Sequence, residues 1–386
     1  MQDTWHIISG EYPPQPGGVS DYTAALSDAL AERGCFVHVW VRGDERESEC
    51  ISSNLTVHRC VGDFGRASLA NLGMRLAEFE GPRKLLVQYV PHAFGFKAMN
   101  IGFANWVRAR GRDHGDDVRI MFHEVAYPWV WWPMHHNIIA FANRWMARTL
   151  LQSAFKIYVS TGSWNASLKA LGCEDSKIQI LPVPSNVPRV VDRQASQSLR
   201  CSILRDQTSS KLVGHFGTYG TWVAEMLLPM VIELLRSRGD VHFHLIGEGS
   251  DDFRIRILRE FPKGTNRISS TGRKELAVIA QHIACCDVML QPYPDGVNTR
   301  RGSLMACLHN GKAVVTTHGH NTDSLWLDNE LDNEIVRLAD DPSPGNCVKQ
   351  LSYLLDDDVK RRSLGLRGQR YYEANFSLER TAHLIR

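Results

Sequence analysis

The feature that most constrains this chain is a regular alternation of short apolar runs with segments of helical periodicity. Between residues 19 and 34 the apolar side chains recur at helical spacing, and Gly34 stands where a helix would end. Apolar runs separated by such helices predict a parallel sheet with helices on both faces. In the first half the runs are WHIIS (5–9), FVHVWV (36–41), KLLVQYV (84–90), RIMFHEV (119–125), KIYVST (156–161) and IQILPV (178–183).

The alternation restarts after a proline-rich segment, LPVPSNVPRV (181–190), which is typical of an interdomain linker. The second set of apolar runs is LVGHFGT (212–218), VHFHLIG (241–247), RISSTG (267–272), CDVMLQPY (286–293) and AVVTT (313–317). Helices are predicted at about 222–238, 252–261, 273–284, from about 300, at 343–355 and at 357–386.

Two tandem doubly wound α/β domains are therefore predicted, and a chain of 386 residues is long enough for two cores. We expect an N-terminal Rossmann-like domain over 1–185 and a C-terminal one over 186–370. The closing segment 371–386 is expected to pack back on the first domain. Domains of this kind bind ligands at the carboxyl ends of their strands, so two of them face to face predict a cleft site.

Composition excludes several classes of function. Lys and Arg number 44 against 42 Asp and Glu, a net charge of +2, which argues against a nucleic-acid binder. The nine cysteines contain no C-x-x-C pair, so no zinc site is expected, and reduced cytosolic thiols are the simplest interpretation. The opening residues are too short and polar for a signal peptide, and no apolar stretch predicts a membrane span. A cytoplasmic protein is expected.

The loop EYPPQPGGVSDY (11–22) follows the first apolar run and precedes the first helix. Gly17 and Gly18 lack side chains, so a phosphate or a sugar can approach the backbone amides at the helix N-terminus. The alternative is an ordinary surface turn, because Pro and Gly are common in turns. The spacing is not G-x-G-x-x-G, so a nicotinamide site is not supported.

This loop resembles the start of retaining GT-B-fold glycosyltransferases of the group 1 or family 4 type, and further motifs follow in that family's order. The resemblance covers essentially the whole chain. The motifs are FHE (122–124), VSTGSW (159–164), LPVPSNVP (181–188), HLIGEGSDD (244–252), CDVMLQPYPDG (286–296), NGKAVVTT (310–317) and FSLERTAHLI (376–385).

The resemblance implies a GT-B fold and transfer of a sugar from a nucleotide-diphosphate donor with retention of configuration. The C-terminal domain would bind the donor and the N-terminal domain the acceptor. In that mechanism the leaving diphosphate takes the acceptor proton. No Asp-x-Asp stands at a strand end to hold a divalent metal, and the resemblance implies a metal-free diphosphate site, so neither a metal nor another cofactor is expected. Three alternatives stay open: an inverting transferase, a nucleotide-sugar epimerase of the same fold, and an inactive sugar-nucleotide-binding partner protein.

The resemblance assigns roles to particular residues. His123 would hydrogen-bond a hydroxyl of the transferred sugar, and the alternative is a structural histidine. Glu124 would be the base if the reaction inverted configuration. Glu11 and Asp21 are rival carboxylates, and Tyr12 is a further acceptor-side candidate. The candidates near the donor diphosphate and nucleotide are Gly217, Thr218, Gly247, Glu248 and Arg273.

The donor half departs from the family pattern. No Arg or Lys follows Gly217 before the next helix, and Asn298 and Ala306 stand where the family has two glutamates with seven residues between them. Thr299, Arg300, Arg301 and Ser303 instead lie at a predicted helix N-terminus. Because a cation there is otherwise unfavourable, the two arginines indicate an anion; the alternative is a solvated arginine pair. Our hypothesis is that Arg300 or Arg301 replaces the missing phosphate clamp.

The segment AYPWVWWPMHHN (126–137) follows His123 directly and is rich in aromatic residues. Tyr127, Trp129 and Trp131 are expected to face the acceptor, since aromatic faces stack on sugars. Trp also favours membrane interfaces, so the segment is equally a candidate lip for a lipid-linked acceptor, with peripheral contact at the inner face of the membrane. The third interpretation is packing against the helix over about 136–151.

Overall fold

The computed structural model of the chain describes residues 3–43, 48–95, 98–132, 134, 136–205, 210–327 and 334–386. They form two compact units. The first runs up to Pro182 and includes Thr381–Arg386, and the second is Val183–Arg380. The division thus falls between Pro182 and Val183, inside the proline-rich segment, and residues 371–380 lie with the second unit.

The first unit is an eight-stranded sheet with helices along its connections. The strands are β1 (Thr4–Ser9), β2 (Phe36–Trp40), β3 (Glu49–Ser52), β4 (Leu55–His58), β5 (Lys84–Tyr89), β6 (Asp117–Phe122), β7 (Lys156–Val159) and β8 (Ile178–Ile180). The helices are α1 (Gly18–Glu32), α2 (Arg66–Leu76), α3 (Ile101–Asp113), α4 (His136–Ser153) and α5 (Ser163–Ala170). The strand order is β3-β4-β2-β1-β5-β6-β7-β8.

One edge of this sheet differs from the sequence expectation. The segment that contains β3 and β4 was not predicted as strand, and β3 pairs with β4 in the antiparallel sense, whereas the other neighbouring pairs are parallel. Both strands are four residues long, and all of β3 is exposed. A short polar edge strand has no apolar pattern, so period analysis does not detect it.

The second unit is a six-stranded, wholly parallel sheet in the order β11-β10-β9-β12-β13-β14. Its strands are β9 (Lys211–Phe216), β10 (Val241–Ile246), β11 (Ile268–Ser270), β12 (Val288–Gln291), β13 (Ala313–Thr317) and β14 (Arg337–Ala339). Its helices are α6 (Arg193–Leu204), α7 (Thr221–Ser237), α8 (Ser250–Glu260), α9 (Leu276–Cys285), α10 (Gly302–His309), α11 (Pro344–Asp356) and α12 (Asp358–Asn375); α13 (Leu378–Ile385) closes the chain.

The helix predicted over 357–386 is wrong as a single element. It divides into α12 and α13, because α12 ends at Asn375 and the Ser377 hydroxyl accepts the Arg380 N–H at 3.2 Å, which caps a new helix. Likewise α10 begins at Gly302, two residues after the expected start. Strand β14 is three residues long and was not predicted.

Most strands have continuous apolar sequences because both faces of their sheets are buried. Ile7, Ile8 and Val213 are fully buried, and two apolar clusters lie on opposite faces of the second sheet. Among the described residues, none of the helices combines the length and apolar character that crossing a bilayer requires.

Candidate functional site

The candidate residues of the first unit follow the carboxyl ends of β1 and β6. In a parallel sheet these ends share one edge, and the His123 N–H donates to the Tyr89 carbonyl oxygen at 3.0 Å, which joins the end of β6 to that of β5. Gly10 packs so closely against Ala93 that a Cβ atom on Gly10 would overlap the Ala93 side chain. The sheet edge thus carries the opening loop after β1 and His123 after β6, with β5 between the two strands.

The Glu11 carboxylate joins the opening loop to the first turn of helix α1. The Ser20 N–H, in the first turn of α1, donates to Oε1 of Glu11 at 3.1 Å. A Cβ atom on Gly17 would lie 2.7 Å from the same oxygen. A side chain at Gly17 would therefore displace the Glu11 carboxylate, which occupies the anion position at the positive end of the helix. Around Gly18 the space is open, and a phosphate or sugar role for these glycines stays a prediction.

The other acceptor-side candidates in this loop differ in exposure. Tyr12 is only 6% exposed and lies under the guanidinium of Arg59, 5.8 Å from its ring centre. Desolvation raises the pKa of Tyr12 to about 12. Asp21 is exposed on the first turn of α1. The structure therefore leaves Asp21 accessible to a ligand and places Tyr12 in the packing beneath the loop.

His123 is held in one orientation by the sheet beneath it. Its Nε2 lies 2.8 Å from Oε1 of Gln88, and its ring meets that of Tyr22 edge-on at 5.0 Å. Because the Gln88 oxygen only accepts, Nε2 carries the proton and Nδ1 is an acceptor. Desolvation lowers the pKa of His123 to about 4, so the ring is neutral at pH 7. A neutral, fixed imidazole can accept a hydrogen bond from a sugar hydroxyl.

Glu124 and the aromatic segment follow His123 outward from the sheet. Glu124 is partly exposed. Trp129 is 55% exposed beside the Arg144 guanidinium, which lies 4.4 Å from its ring centre, and Trp131 is 96% exposed. Tyr127 is partly exposed, and its backbone N–H donates to Asn143 at 3.3 Å. Pro133 and His135 of this segment lie outside the described residues.

In the second unit, the loops after β9 and β10 pass so close to each other that their backbones touch with no room for side chains. Gly247 has φ of +112°, and a Cβ atom there would overlap the carbonyl oxygen of Gly217. A Cβ atom on Gly249 would lie 3.2 Å from the Thr218 carbonyl oxygen. The expected donor residues Gly217, Thr218 and Gly247 are thus brought together at one sheet edge, where glycine is required by sterics.

Glu248 and Arg273 are exposed in the loops that follow β10 and β11. The same sheet edge also holds His215, a residue that the sequence analysis missed. Its Nδ1–H donates to the Leu290 carbonyl oxygen at 2.8 Å, while its buried Nε2 has no partner among the described residues. Desolvation lowers the pKa of His215 to about 4. No motif signals this histidine, because its position below Gly217 depends on the strand register.

The loop before α10 is held by two acidic residues that the sequence analysis did not single out, Asp295 and Asp323. Asp295 forms an ion pair with Arg301, whose guanidinium lies 4.7 Å from the Tyr293 ring centre. Asp323 accepts from the backbone N–H and hydroxyl of Thr299 at 2.7 and 2.9 Å. Asp295 follows β12 in an Asp-Gly pair, which is the one sequence signal that could have drawn attention to it.

The remaining residues of this loop are placed as follows. Ser303 lies 2.8 Å from the Tyr293 hydroxyl, and the Arg300 N–H donates to the Asn298 side chain at 3.3 Å. Asn298 and Thr299 are only 1% exposed, and Ala306 is fully buried in the core face of α10. Because Arg301 pairs with Asp295, a ligand that binds the Arg301 guanidinium would compete with the Asp295 carboxylate. Ala306 offers no polar group to a ribose.

Titratable side chains suited to a metal do not gather in groups of three or more anywhere in the described part of the chain. The expected metal independence stays a prediction.

Comparisons with solved structures identify the architecture. The chain is similar to sucrose-phosphate synthase from Thermosynechococcus elongatus with a TM-score of 0.70 at 14% identity, over 100% of this chain and 97% of that one. It is also similar to HepE from Anabaena, solved with UDP, with a TM-score of 0.68 at 13% identity, over 100% and 98%. The chain has the GT-B fold.

A third GT-B neighbour is WaaG, a glycosyltransferase involved in lipopolysaccharide biosynthesis, with a TM-score of 0.65 at 15% identity, over 99% of each chain. No protein-family model matches the chain, and no curated protein sequence matches it. The likeness therefore lies in the GT-B fold, and the roles of individual residues must be argued from the sites themselves.

Proposed function

We propose that this GT-B protein is a glycosyltransferase that moves a sugar from a nucleotide-diphosphate donor to a hydroxyl acceptor with retention of configuration. The observation that carries the proposal is the crossing of Gly217 and Gly247, which leaves backbone without side chains at the carboxyl edge of the second sheet. Such bare backbone beside a helix start suits a diphosphate. The structures of HepE with UDP and with UDP-glucose make uridine nucleotides the first donors to test.

In the proposed reaction the protein supplies position and charge rather than a carboxylate base. The second unit holds the diphosphate, and Arg300 or Arg301 stabilises the charge of the leaving group, with Arg301 released from Asp295. His123 in the first unit accepts a hydrogen bond from a hydroxyl of the transferred sugar. The leaving diphosphate takes the acceptor proton, so the new bond forms on the face from which the old one breaks.

A screen of UDP-, GDP-, ADP- and TDP-sugars against simple acceptors, with the anomer followed by NMR, tests the proposal. We expect one donor to be consumed and the α-linked donor to give an α-linked product. A β-linked product would indicate inversion, with Glu124, Glu11 or Asp21 as the base. Isomerised donor without acceptor would indicate an epimerase, and binding without turnover an inactive partner protein.

We further propose that the aromatic surface of the first unit contacts an anionic membrane. This surface consists of the large apolar side chains that the segment after Val125 and helix α4 leave exposed. They are Trp129, Trp131, Trp132, Met134, Ile138, Phe141 and Trp145, with exposures between 37% and 96%. Seven large apolar side chains exposed within one short stretch of the chain are typical of an interaction site.

Charge and residue type favour a lipid surface over a protein partner. The sequence contains no Asp or Glu between Glu124 and Glu174, whereas Arg144, Arg148 and Lys156 lie in that stretch. Trp is the side chain that most favours the headgroup region, and nearby cations add attraction to anionic lipids. A lipid-linked acceptor would then be presented directly to the first unit.

Sedimentation with phosphatidylcholine vesicles, with and without phosphatidylglycerol, tests this contact. We expect binding that requires the anionic lipid, and a loss of about tenfold or more in the W131S/W132S double variant because two interfacial anchors are removed. W222S is the matched control, since Trp222 is as exposed as Trp132, at 81%, but lies in the second unit. Equal losses in both variants, or no vesicle binding by the wild type, would contradict the contact.

A further inference from the structure

A polar cavity lies at the amino edge of the sheet in the second unit, whereas the candidate donor site lies at the carboxyl edge. Its volume is about 440 Å³. It is bordered by the start of α6, by the residues just before β12, and by Gly311 and Lys312 just before β13. Because strands in this sheet are parallel, the residues that precede them lie at the amino edge. The glycine crossing lies at the carboxyl edge.

The charged lining of this cavity is mostly positive. The cations are Arg189, Arg193, Arg200 and Lys312, and Asp287 is the single acidic residue among the described lining side chains. Asp287 is already committed, since it accepts from Arg200 at 2.8 Å and from the Leu212 N–H at 2.7 Å. Outside the lining, Glu373 pairs with Arg189 at 2.9 Å.

Two of the four cations have no carboxylate within ion-pair distance among the described residues. The Lys312 ammonium donates to two backbone carbonyls, those of Ala284 and, at 2.9 Å, Cys286. Burial lowers the pKa of Lys312. Arg193 is exposed at the first position of α6, and the Asp192 carboxylate before it accepts from the Gln194 and Ala195 N–H groups at 2.9 and 3.0 Å. Because Arg200 pairs with Asp287 and Arg189 with Glu373, Arg193 and Lys312 are the two lining cations without a carboxylate in ion-pair contact among the described residues.

From these charges we propose that the amino-edge cavity binds the phosphate group of a small metabolite. A phosphate dianion would supply the anionic partner that Arg193 and Lys312 lack. The planar guanidinium of Arg193 fits its oxygens, and the Lys312 ammonium adds a second charge. The cavity is large enough for a phosphate monoester as well as for free phosphate. The site is separate from the proposed transferase site and requires no sugar transfer.

Helix α10 connects the two sites. It begins next to Arg301 of the candidate donor site and ends next to Asn310 and Lys312 of the cavity. An eight-residue helix spans about 12 Å, so ligands bound at the two ends of α10 would be separated by only the length of this helix. The test must therefore separate phosphate bound at the cavity from phosphate bound near Arg301.

Calorimetric titration of the full chain, in phosphate-free buffer and without nucleotide, provides that test. The probes are inorganic phosphate and glycerol phosphate, with chloride at matched ionic strength as the reference. We expect saturable binding that R193Q weakens by roughly tenfold, the loss of one charge-assisted contact, while R301Q and R259Q bind as the wild type does. Arg193 and Arg259 are both exposed, so neither substitution should disturb folding.

The two probes distinguish the sources of the phosphate. Tighter binding of glycerol phosphate assigns the cavity to a phosphate monoester, and equal or weaker binding assigns it to free phosphate. Binding that R301Q abolishes and R193Q retains would overturn the proposal, as would the absence of phosphate binding in the wild type. Loss of transferase activity leaves this result unchanged, since no donor or acceptor is present.

Discussion

At the residue scale, His123 shows how a sheet fixes the chemistry of one side chain. Gln88 determines which ring nitrogen carries the proton, and desolvation keeps the ring neutral by lowering its pKa to about 4. A neutral ring accepts a hydrogen bond but holds no proton to donate from Nδ1. The geometry therefore suits binding of a sugar hydroxyl and does not suit general acid catalysis.

Replacing His123 by Ala should lower turnover by about 10- to 100-fold, which corresponds to one lost hydrogen bond in a desolvated site. H114A, which removes an exposed histidine of the same unit, should leave turnover unchanged. Because the pKa of His123 lies well below 6.5, the wild-type pH–rate profile should show no ionisation of this residue between pH 5 and 9. Unchanged turnover in H123A would remove His123 from the site.

The stability of a Gly247 variant tests how closely the backbones of Gly217 and Gly247 cross. G247A places a methyl group against the Gly217 carbonyl oxygen at a φ of +112°, so we expect a loss of about 2–4 kcal/mol in the free energy of unfolding. G239A is the control, because nothing lies within 4 Å of a Cβ atom there. Urea unfolding of the two variants measures the difference, and equal stabilities would mean that the crossing is not tight.

At the element scale, the strands β1, β2 and β4 carry a stack of three histidines. His38 Nδ1 lies 3.0 Å from His58 Nε2, and the rings of His6 and His38 are 5.4 Å apart. Desolvation and, to a smaller extent, the charge of the neighbouring histidines lower the pKa of His6 and of His58 to about 3. The stack is stable only while its members are neutral.

The first unit should therefore lose stability in acid. In the unfolded chain these histidines gain protons near pH 6.5, whereas in the folded state His6 and His58 do so only near pH 3. Stability is thus fully present above pH 6.5 and is lost as the pH falls from 6.5 towards 3. Replacing His58 by Gln should reduce the slope of stability against pH by about one proton between pH 6 and 4.

The control for that experiment is H114Q, because His114 is exposed and lies outside the histidine stack. Urea unfolding at several pH values gives the slope, followed by a probe of the first unit such as the near-UV signal of the buried Trp5 and Trp40. A slope that H58Q leaves unchanged would show that the stack does not control acid stability.

At the scale of the whole molecule, each unit has its own sheet and core, and the proposed donor site belongs to the second unit alone. A nucleotide at about 100 times its dissociation constant should stabilise the unit that binds it by about 2.7 kcal/mol. In hydrogen exchange we expect UDP, or whichever nucleotide binds, to protect residues 217–219, 247–249 and 295–303. Protection confined to the first unit would reverse the assignment of donor and acceptor halves.

Local sequence patterns alone predicted most of the fold of this protein. Apolar runs of strand length, helical periodicity between them and a proline-rich segment were sufficient for two Rossmann-like units, because parallel strands buried on both faces have a strong sequence signal. The strand ends at His123, Gly217 and Gly247 were also predicted. The short edge strands β3 and β14 were not, since three or four residues carry too little periodicity to be detected.

What the tertiary structure decided is the pairing of charges. The sequence places Glu11 in a loop and two arginines before a helix, and it gives no indication that Glu11 caps α1 or that Arg301 pairs with Asp295. The same holds for Gln88 beneath His123 and for the four cations around the amino-edge cavity. Sequence determines which groups lie at each strand end. Only strand order and register determine which of them meet, because those contacts join residues far apart along the chain.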